Sequence, residues 1–142
     1  FYILDFEGEP ARPLEERRAK MTPLKDVAGM LRSFDYAAWA AIRHLGERQR
    51  DLAERALPEA LAWRDMAGAA FLDAYRETIA GAASWPEDPD EAARLIELFL
   101  LEKAFYEIRY EAANRPSWLG IPVRGVLAML DAAAELGGGN GA

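Results

Sequence analysis

The sequence predicts a mainly α fold that forms a single domain over residues 1–142. Ala, Leu, Glu and Arg dominate the composition while Val, Ile and Thr are sparse, a balance that favours helix over strand. Apolar residues recur at three- and four-residue intervals, which is the spacing of one helix face. The length of 142 residues and the hydrophobic content of 51% are sufficient for one domain with a buried core.

The chain opens with a short extended element, which we predict as a strand over residues 1–8. This strand contains an apolar run that ends at Asp5, and no turn or partner strand precedes it, so we expect the chain to be a piece of a larger protein. Pro10 and Pro13 interrupt the stretch that follows, which predicts a loop over residues 9–21 that can include one helical turn over residues 14–19.

A helical subdomain is predicted over residues 22–136. Its first helix has Thr22 at the N-cap and Pro23 at the first helical position. The apolar periodicity of this helix ends near Gly46.

The second helical region covers residues 51–80 and contains Pro58. A proline inside a helix removes one backbone donor and clashes with the preceding turn. Pro58 therefore either kinks this helix or separates two helices.

Two more helices complete the subdomain. The first has Asp88 at the N-cap position and extends to about Ala113. The last begins at Pro122 and extends to about Leu136, after which the Gly-rich residues 137–142 are predicted to form a flexible tail.

Charge and composition exclude several classes of partner and site. A net charge of −7 argues against a nucleic-acid surface, which needs clustered Lys and Arg. The chain has no cysteine and one histidine, His44, which excludes disulfides, thiolate metal sites and an imidazole cluster for zinc. No apolar stretch approaches the ~20 residues that span a bilayer. No membrane partner is therefore expected, and a cytoplasmic location is the simplest expectation.

Asp5 is a candidate magnesium ligand because it ends the apolar N-terminal run. Mg²⁺ prefers oxygen ligands and is held in proteins by one or two carboxylates together with substrate phosphates. Glu7 projects to the same side if the backbone stays extended, which makes it a second candidate. The alternative is structural, since Asp and Gly are also ordinary turn residues.

The helix after Asp88 separates its residues by face. One stripe, here called the polar stripe, carries Lys103, Tyr106, Glu107, Tyr110 and Asn114. The opposite stripe is apolar and carries Leu98, Leu101, Phe105, Ile108 and Ala112. The polar stripe offers what a sugar requires, namely polar groups for hydroxyls and rings for pyranose faces. We expect it to line a cleft beside the core, against the alternative of a solvated face with a Lys103–Glu107 ion pair.

Two long blocks carry a resemblance to a known family. The first is ILDFEGEPARPL at residues 3–14 with PLKDVAGMLRSFDYA at residues 23–37. The second is LEKAFYEIRYE at residues 101–111, followed by NRPSW and IPVRG. Together the blocks resemble the maltokinase family, whose members are related to aminoglycoside phosphotransferases and often fused to trehalose synthase.

The resemblance implies that the chain is the helical C-terminal lobe of a protein-kinase-like fold, similar to that of aminoglycoside phosphotransferases. The family transfers the γ-phosphate of ATP to the anomeric hydroxyl of maltose, which gives maltose 1-phosphate for glycogen and other α-glucan synthesis. The implied cofactors are ATP and Mg²⁺. The implied partners are maltose and trehalose synthase, either fused or in a complex.

The same resemblance implies site residues. Asp5 matches the metal-binding aspartate of the family's Asp-Phe-Glu motif, with Glu7 as a second metal candidate. The sugar would contact the polar stripe and Arg124. The family's catalytic base belongs to a His-Gly-Asp loop upstream of Asp5, so no catalytic residue is expected in this chain. We therefore expect the chain alone to show no kinase turnover.

Two alternatives from other classes stay open. An acidic chain suits a phosphotransferase that acts on an aminoglycoside or a choline-like cation, and a helical chain also suits a non-catalytic module that docks trehalose synthase. Removal of an N-terminal lobe would expose apolar surface, so a homodimer of the fragment is expected.

Overall fold

The computed structural model describes residues 12–138 of the chain, with the side chains of all of them except residues 132, 133 and 135–138. These residues form five α-helices and one 3₁₀ turn: α1 Leu14–Arg18, α2 Leu24–Gly46, α3 Arg50–Ile79, α4 Pro89–Asn114, the turn Pro116–Trp118 and α5 Gly120–Gly138. The predicted mainly α fold is confirmed, and the described part of the chain contains no strand. The strand predicted over residues 1–8 and the end of the predicted tail lie outside the described residues. None of the helices within residues 12–138 is long and apolar enough to cross a membrane.

α2 is the central helix and packs against α3, α4 and α5. Its apolar side buries Leu24, Val27 and Ala28, which form the core together with Ile96 and Phe99 of α4. Partly buried side chains surround this core, namely Leu31, Phe71, Leu72, Tyr75, Trp85, Leu95 and Leu100. Because burying one large apolar side chain stabilises a fold by roughly 1.5–3 kcal/mol, the contact of α2 with α4 is a main source of stability.

The starts of α2 and α4 both use polar side chains close to the predicted caps. Asp88 takes the N-cap position of α4, and its Oδ1 accepts a hydrogen bond from the backbone N–H of Asp90 at 2.9 Å. α2 begins one residue later than predicted, with Pro23 as the cap residue. Thr22 still contributes, because its Oγ1 accepts from the backbone N–H of Leu24 at 3.4 Å.

α3 continues through Pro58 as one helix from Arg50 to Ile79. The alternative in which Pro58 separates two helices is therefore wrong. Although the proline removes one helical hydrogen bond, the length of α3 and its packing along α2 outweigh that loss.

The two stripes of α4 face in directions that hydrophobicity alone does not predict. The apolar stripe is open to solvent at Leu98 and Phe105, which are 58% and 55% exposed. The polar stripe turns toward α2 and is half-buried at Lys103, Tyr106 and Glu107. This orientation is stable because α2 presents charged partners to the polar side of α4.

Candidate functional site

Three adjoining cavities follow the polar stripe of α4, and Tyr106 and Tyr110 line all three. We name each cavity after a residue that lines that cavity and neither of the other two. The Lys25 cavity has a volume of about 610 Å³, the Tyr36 cavity about 460 Å³ and the Arg109 cavity about 640 Å³. Small-molecule sites have volumes in this range, and the two tyrosines form a wall that the three cavities share.

The Lys25 cavity lies where the segment before α2, the start of α2 and the middle of α4 meet. Half of the residues that line it are charged, namely Arg12, Glu16, Arg17, Lys25, Asp26, Glu102 and Lys103. Glu102 accepts a hydrogen bond from Arg12 Nη2 at 2.7 Å and lies 3.5 Å from Lys25 Nζ. Glu102 therefore ties both the N-terminal segment and α2 to α4 at the edge of this cavity.

The Tyr106 ring attracts two cations. Lys103 Nζ lies 5.0 Å from the ring centroid, and the Arg12 guanidinium lies 5.9 Å from it. The Tyr110 ring stacks beside Tyr106, with centroids 6.3 Å apart and planes inclined by 18°. Attraction between the ammonium and the electron-rich ring face holds Lys103 at the border of the Lys25 and Tyr36 cavities, both of which it lines.

A buried network of ion pairs borders the Tyr36 cavity. Arg32 of α2 is 4% exposed and donates its Nε and Nη2 to Oε2 of Glu107, at 3.1 and 2.6 Å. Its Nη1 donates to Oδ2 of Asp35 at 2.7 Å, and Arg64 of α3 donates to Oδ1 of Asp35 at 3.1 Å. These charge-assisted hydrogen bonds join α4, α2 and α3.

Burial raises the pKa of Glu107 above its usual range, while the hydrogen bonds and positive charge of Arg32 oppose that rise. Lys103 also lowers the pKa of Glu107, and the negative charge of Asp35 raises it. The charge of this carboxylate therefore depends on its cationic neighbours.

The raised pKa of Glu107 predicts a pH dependence of stability. An unfolded glutamate has a pKa of ~4.3. At pH values between that pKa and the higher pKa of Glu107 in the folded state, the folded state binds the proton more tightly. The free energy of unfolding therefore falls as pH rises through this window. We expect the wild-type chain to lose stability relative to Glu107→Gln over that range, as measured by urea unfolding at a series of pH values. The exposed Glu54→Gln serves as the control, and parallel curves for wild type and Glu107→Gln would contradict the prediction.

A second buried carboxylate, Glu111, lies one helical turn further along α4 and is 2% exposed. It accepts hydrogen bonds from the Tyr36 hydroxyl and from Nε and Nη2 of Arg115, the last two at 2.9 and 2.6 Å. Burial and the hydrogen bond to Glu111 raise the pKa of Tyr36, so the phenol remains a donor. The Trp118 ring stacks on the Tyr36 ring, with centroids 5.9 Å apart. The Arg115 guanidinium lies 5.0 Å from the Trp118 ring centroid.

Four residues of the predicted sugar site lie together. Lys103, Tyr106 and Tyr110 line both the Lys25 and Tyr36 cavities, and Glu107 lines the Tyr36 cavity. Three of these side chains, Lys103, Tyr106 and Glu107, are half-buried, and Tyr110 is exposed. Contact of these side chains with a sugar stays a prediction.

Asn114 shares only the Arg109 cavity with Tyr106 and Tyr110, and Arg124 lies apart from the other predicted sugar contacts. Asn114 lines the Arg109 cavity, and its Nδ2 donates to the backbone carbonyl of Tyr110 at 2.8 Å. Arg124 of α5 lines none of the three cavities, and its guanidinium lies 4.8 Å from the ring centroid of Trp39. A role for either residue in sugar binding stays a prediction.

The two predicted metal ligands, Asp5 and Glu7, lie outside the described residues. Across residues 12–138, no group of three or more His, Asp or Glu side chains is placed to hold a metal ion. The prediction of Mg²⁺ therefore continues to depend on Asp5 and Glu7.

Sequence reasoning missed Arg32, Tyr36 and Glu111 as parts of the site. Arg32 and Tyr36 each meet their α4 partner across 75 positions of sequence, which no helical spacing indicates. One feature of the sequence could have indicated Arg32. Arg32 lies four residues after the buried Ala28, on the side of α2 that faces the core, and a charge there indicates a buried partner.

Comparison with known proteins relates the chain to sugar kinases. It is 31% identical over 135 residues to a protein named glucosamine kinase from Mycolicibacterium smegmatis, a match that covers 92% of this chain. It is 28% identical over 124 residues, 86% of its length, to a glucosamine kinase of Streptacidiphilus jiangxiensis. No protein-family model matches the chain.

The match covers only part of each relative. The chain spans 30% of the Mycolicibacterium protein and 26% of the Streptacidiphilus protein. The similarity supports the predicted relation at the level of sugar kinases, and it does not single out maltokinases.

Proposed function

We propose that this chain is part of an ATP-dependent sugar kinase and that the wall formed by Tyr106 and Tyr110 contacts the sugar acceptor. In such a reaction a sugar hydroxyl oxygen attacks the γ-phosphorus of ATP, the bond to the ADP oxygen breaks and the hydroxyl proton passes to a base. One observation carries the proposal, namely the match of nearly the whole chain to two proteins named glucosamine kinase. ATP and Mg²⁺ belong to this proposal, with Asp5 and Glu7 as the metal ligands.

An amino sugar of the glucosamine class is the acceptor that we favour. Such a sugar carries a protonated amino group, which requires a carboxylate or another acceptor in its site. Glu107 suits this requirement, because both hydrogen bonds from Arg32 end on Oε2 and Oε1 takes no part in that pair. Tyr106 and Tyr110 add hydroxyls for the sugar hydroxyls and aromatic rings for the apolar faces of the sugar.

Maltose is the second candidate acceptor. The resemblance of residues 3–14 and 101–111 to maltokinases favours it. A disaccharide would extend from the Lys25 cavity into the Tyr36 cavity, which share Lys103 and both tyrosines in their linings.

Turnover by the complete protein tests the proposal. The open reading frame that contains these 142 residues is expressed in full, and ADP release is measured with glucosamine, maltose and kanamycin as acceptors. We expect the highest kcat/KM with glucosamine. Preference for maltose would favour the second candidate, and turnover with kanamycin alone would indicate an aminoglycoside phosphotransferase. ADP release with none of the three would contradict the proposed function.

Tyr106→Leu is expected to weaken sugar binding. The change removes the ring that lines all three cavities and holds Lys103 at their border. We expect the Kd for glucosamine to rise about tenfold, as measured by isothermal titration calorimetry. The matched control is Trp63→Leu, an aromatic residue of α3 that is 43% exposed and lines none of the three cavities. Equal Kd values for Tyr106→Leu and the wild type would place the sugar elsewhere.

A further inference from the structure

We propose that Arg32 is a positioning residue, whose guanidinium holds the Glu107 carboxylate in the orientation in which Glu107 meets the sugar. The inference rests on the proposed sugar-kinase function and deepens it. It assigns a role to a side chain of α2 that has no place in the predicted sugar site.

The guanidinium of Arg32 is held by hydrogen bonds to two carboxylates. Nε and Nη2 donate to Oε2 of Glu107 at 3.1 and 2.6 Å, and Nη1 donates to Oδ2 of Asp35 at 2.7 Å. Arg64 holds Asp35 in turn through its other oxygen, at 3.1 Å. Since the planar guanidinium has a rigid fork of donors, fixing Asp35 fixes the plane in which Glu107 must lie.

The backbone of α5 makes room for this arrangement at Gly125. A Cβ added to Gly125 would overlap the guanidinium of Arg32. Because glycine has no Cβ, its presence here allows α5 to approach Arg32 closely. Arg32 is consequently enclosed by groups from α2, α4 and α5.

Other charged and polar groups lie around Glu107. Lys103 lies one turn earlier on α4, and its ammonium is attracted to the Tyr106 ring at 5.0 Å. Asp35 on α2 carries the same sign as Glu107, and Tyr36 on α2 donates its hydroxyl to Glu111. Arg32 is the cation that reaches the Glu107 carboxylate from α2, through two hydrogen bonds.

Two variants disturb this orientation in different ways. Arg32→Lys keeps the positive charge and removes the fork of donors. Gly125→Ala keeps every charged group and forces the guanidinium to move. We expect each variant to raise the Kd for glucosamine about tenfold relative to the wild type, which corresponds to ~1.4 kcal/mol. The control is Gly68→Ala in α3, where the added Cβ would lie 3.4 Å from a Leu31 methyl group and no binding change is expected.

A spectroscopic readout separates positioning from general stability. The carboxyl ¹³C resonance of Glu107, assigned by its loss in Glu107→Gln, reports the environment of this group without any sugar present. We expect it to shift in both variants while backbone resonances of α3 stay in place. Circular dichroism establishes that each variant is folded before titration, and Gly125→Ala alone decides the test if Arg32→Lys does not fold.

The outcomes are distinct. A shifted Glu107 resonance with weaker glucosamine binding supports the proposal. A shifted resonance with wild-type affinity overturns it and leaves the sugar-kinase function standing, because Glu107 would then not depend on Arg32 to meet the sugar. Absence of binding by the wild-type protein to glucosamine and to maltose would overturn the proposed function first, and this inference with it.

Discussion

Arg32→Met is expected to lower the free energy of unfolding by about 3–5 kcal/mol, the loss typical when one partner of a buried ion pair is removed. The change leaves Glu107 without either of its hydrogen bonds from α2, while Asp35 keeps Arg64 as a partner. The carboxylate that loses its partner is therefore Glu107 alone, which keeps the nearby positive charge of Lys103 but neither hydrogen bond from Arg32. A domain of this size is stabilised by only ~5–15 kcal/mol, so the effect is large.

Two measurements test this prediction by urea unfolding. The double variant Arg32→Met/Glu107→Met should recover most of the loss, because it replaces both charges with apolar side chains of similar length. The deficit of Arg32→Met alone should shrink at low pH. Burial already raises the pKa of Glu107, and loss of Arg32 raises it further, so protonation stabilises the folded variant below that pKa. A deficit that is independent of pH and persists in the double variant would show that the packing of Arg32, and not its charge, holds the helices.

The helices themselves were largely predictable, since their signals are local. Asp88 marks the start of α4 within one residue, and the periodicity of α2 ends at Gly46 as expected. The continuity of α3 through Pro58 was not predictable, because it depends on packing along α2 rather than on the residues around the proline. Local propensity is a weak guide wherever tertiary contacts compensate for it.

Only the α4 wall of the candidate site was predictable from the sequence. Periodicity grouped Lys103, Tyr106 and Glu107 on one face of α4, and the structure shows that face along the cavities. The opposite wall comes from Arg32 and Tyr36 on α2. Which residue of α2 meets which residue of α4 depends on how two helices cross, and a single sequence carries no direct record of that crossing.

The resemblance to maltokinases is supported at the level of sugar kinases, and maltose as the substrate stays a prediction. The blocks that carry it contain caps and core positions such as Leu24, Val27 and Ala28, which determine how the helices pack. Substrate choice in enzymes generally depends instead on a few side chains of the binding site, and small changes there select between substrates. This distinction explains how the chain can resemble one family of sugar kinases and match proteins named for another substrate.

Arg115→Gln is expected to lower the free energy of unfolding by about 3 kcal/mol, although Arg115 itself is 47% exposed at its side chain. The reason is the burial of its partner. Glu111 is 2% exposed, and without Arg115 its charge would keep only the hydroxyl of Tyr36 as a hydrogen-bond donor among its present partners. The buried carboxylate determines the loss, because its own access to water is blocked.

Arg50→Gln provides the matched comparison for Arg115→Gln. Arg50 also donates its Nε to a glutamate four residues away, Glu54, at 3.1 Å. Both side chains of that pair are open to solvent, 86% for Arg50 and 67% for Glu54, so each remains hydrated when the other is removed. We expect a change within about 0.5 kcal/mol for this exposed pair. Equal losses for the two arginines in urea unfolding would mean that spacing along the helix, and not burial of the carboxylate, determines the contribution of each pair.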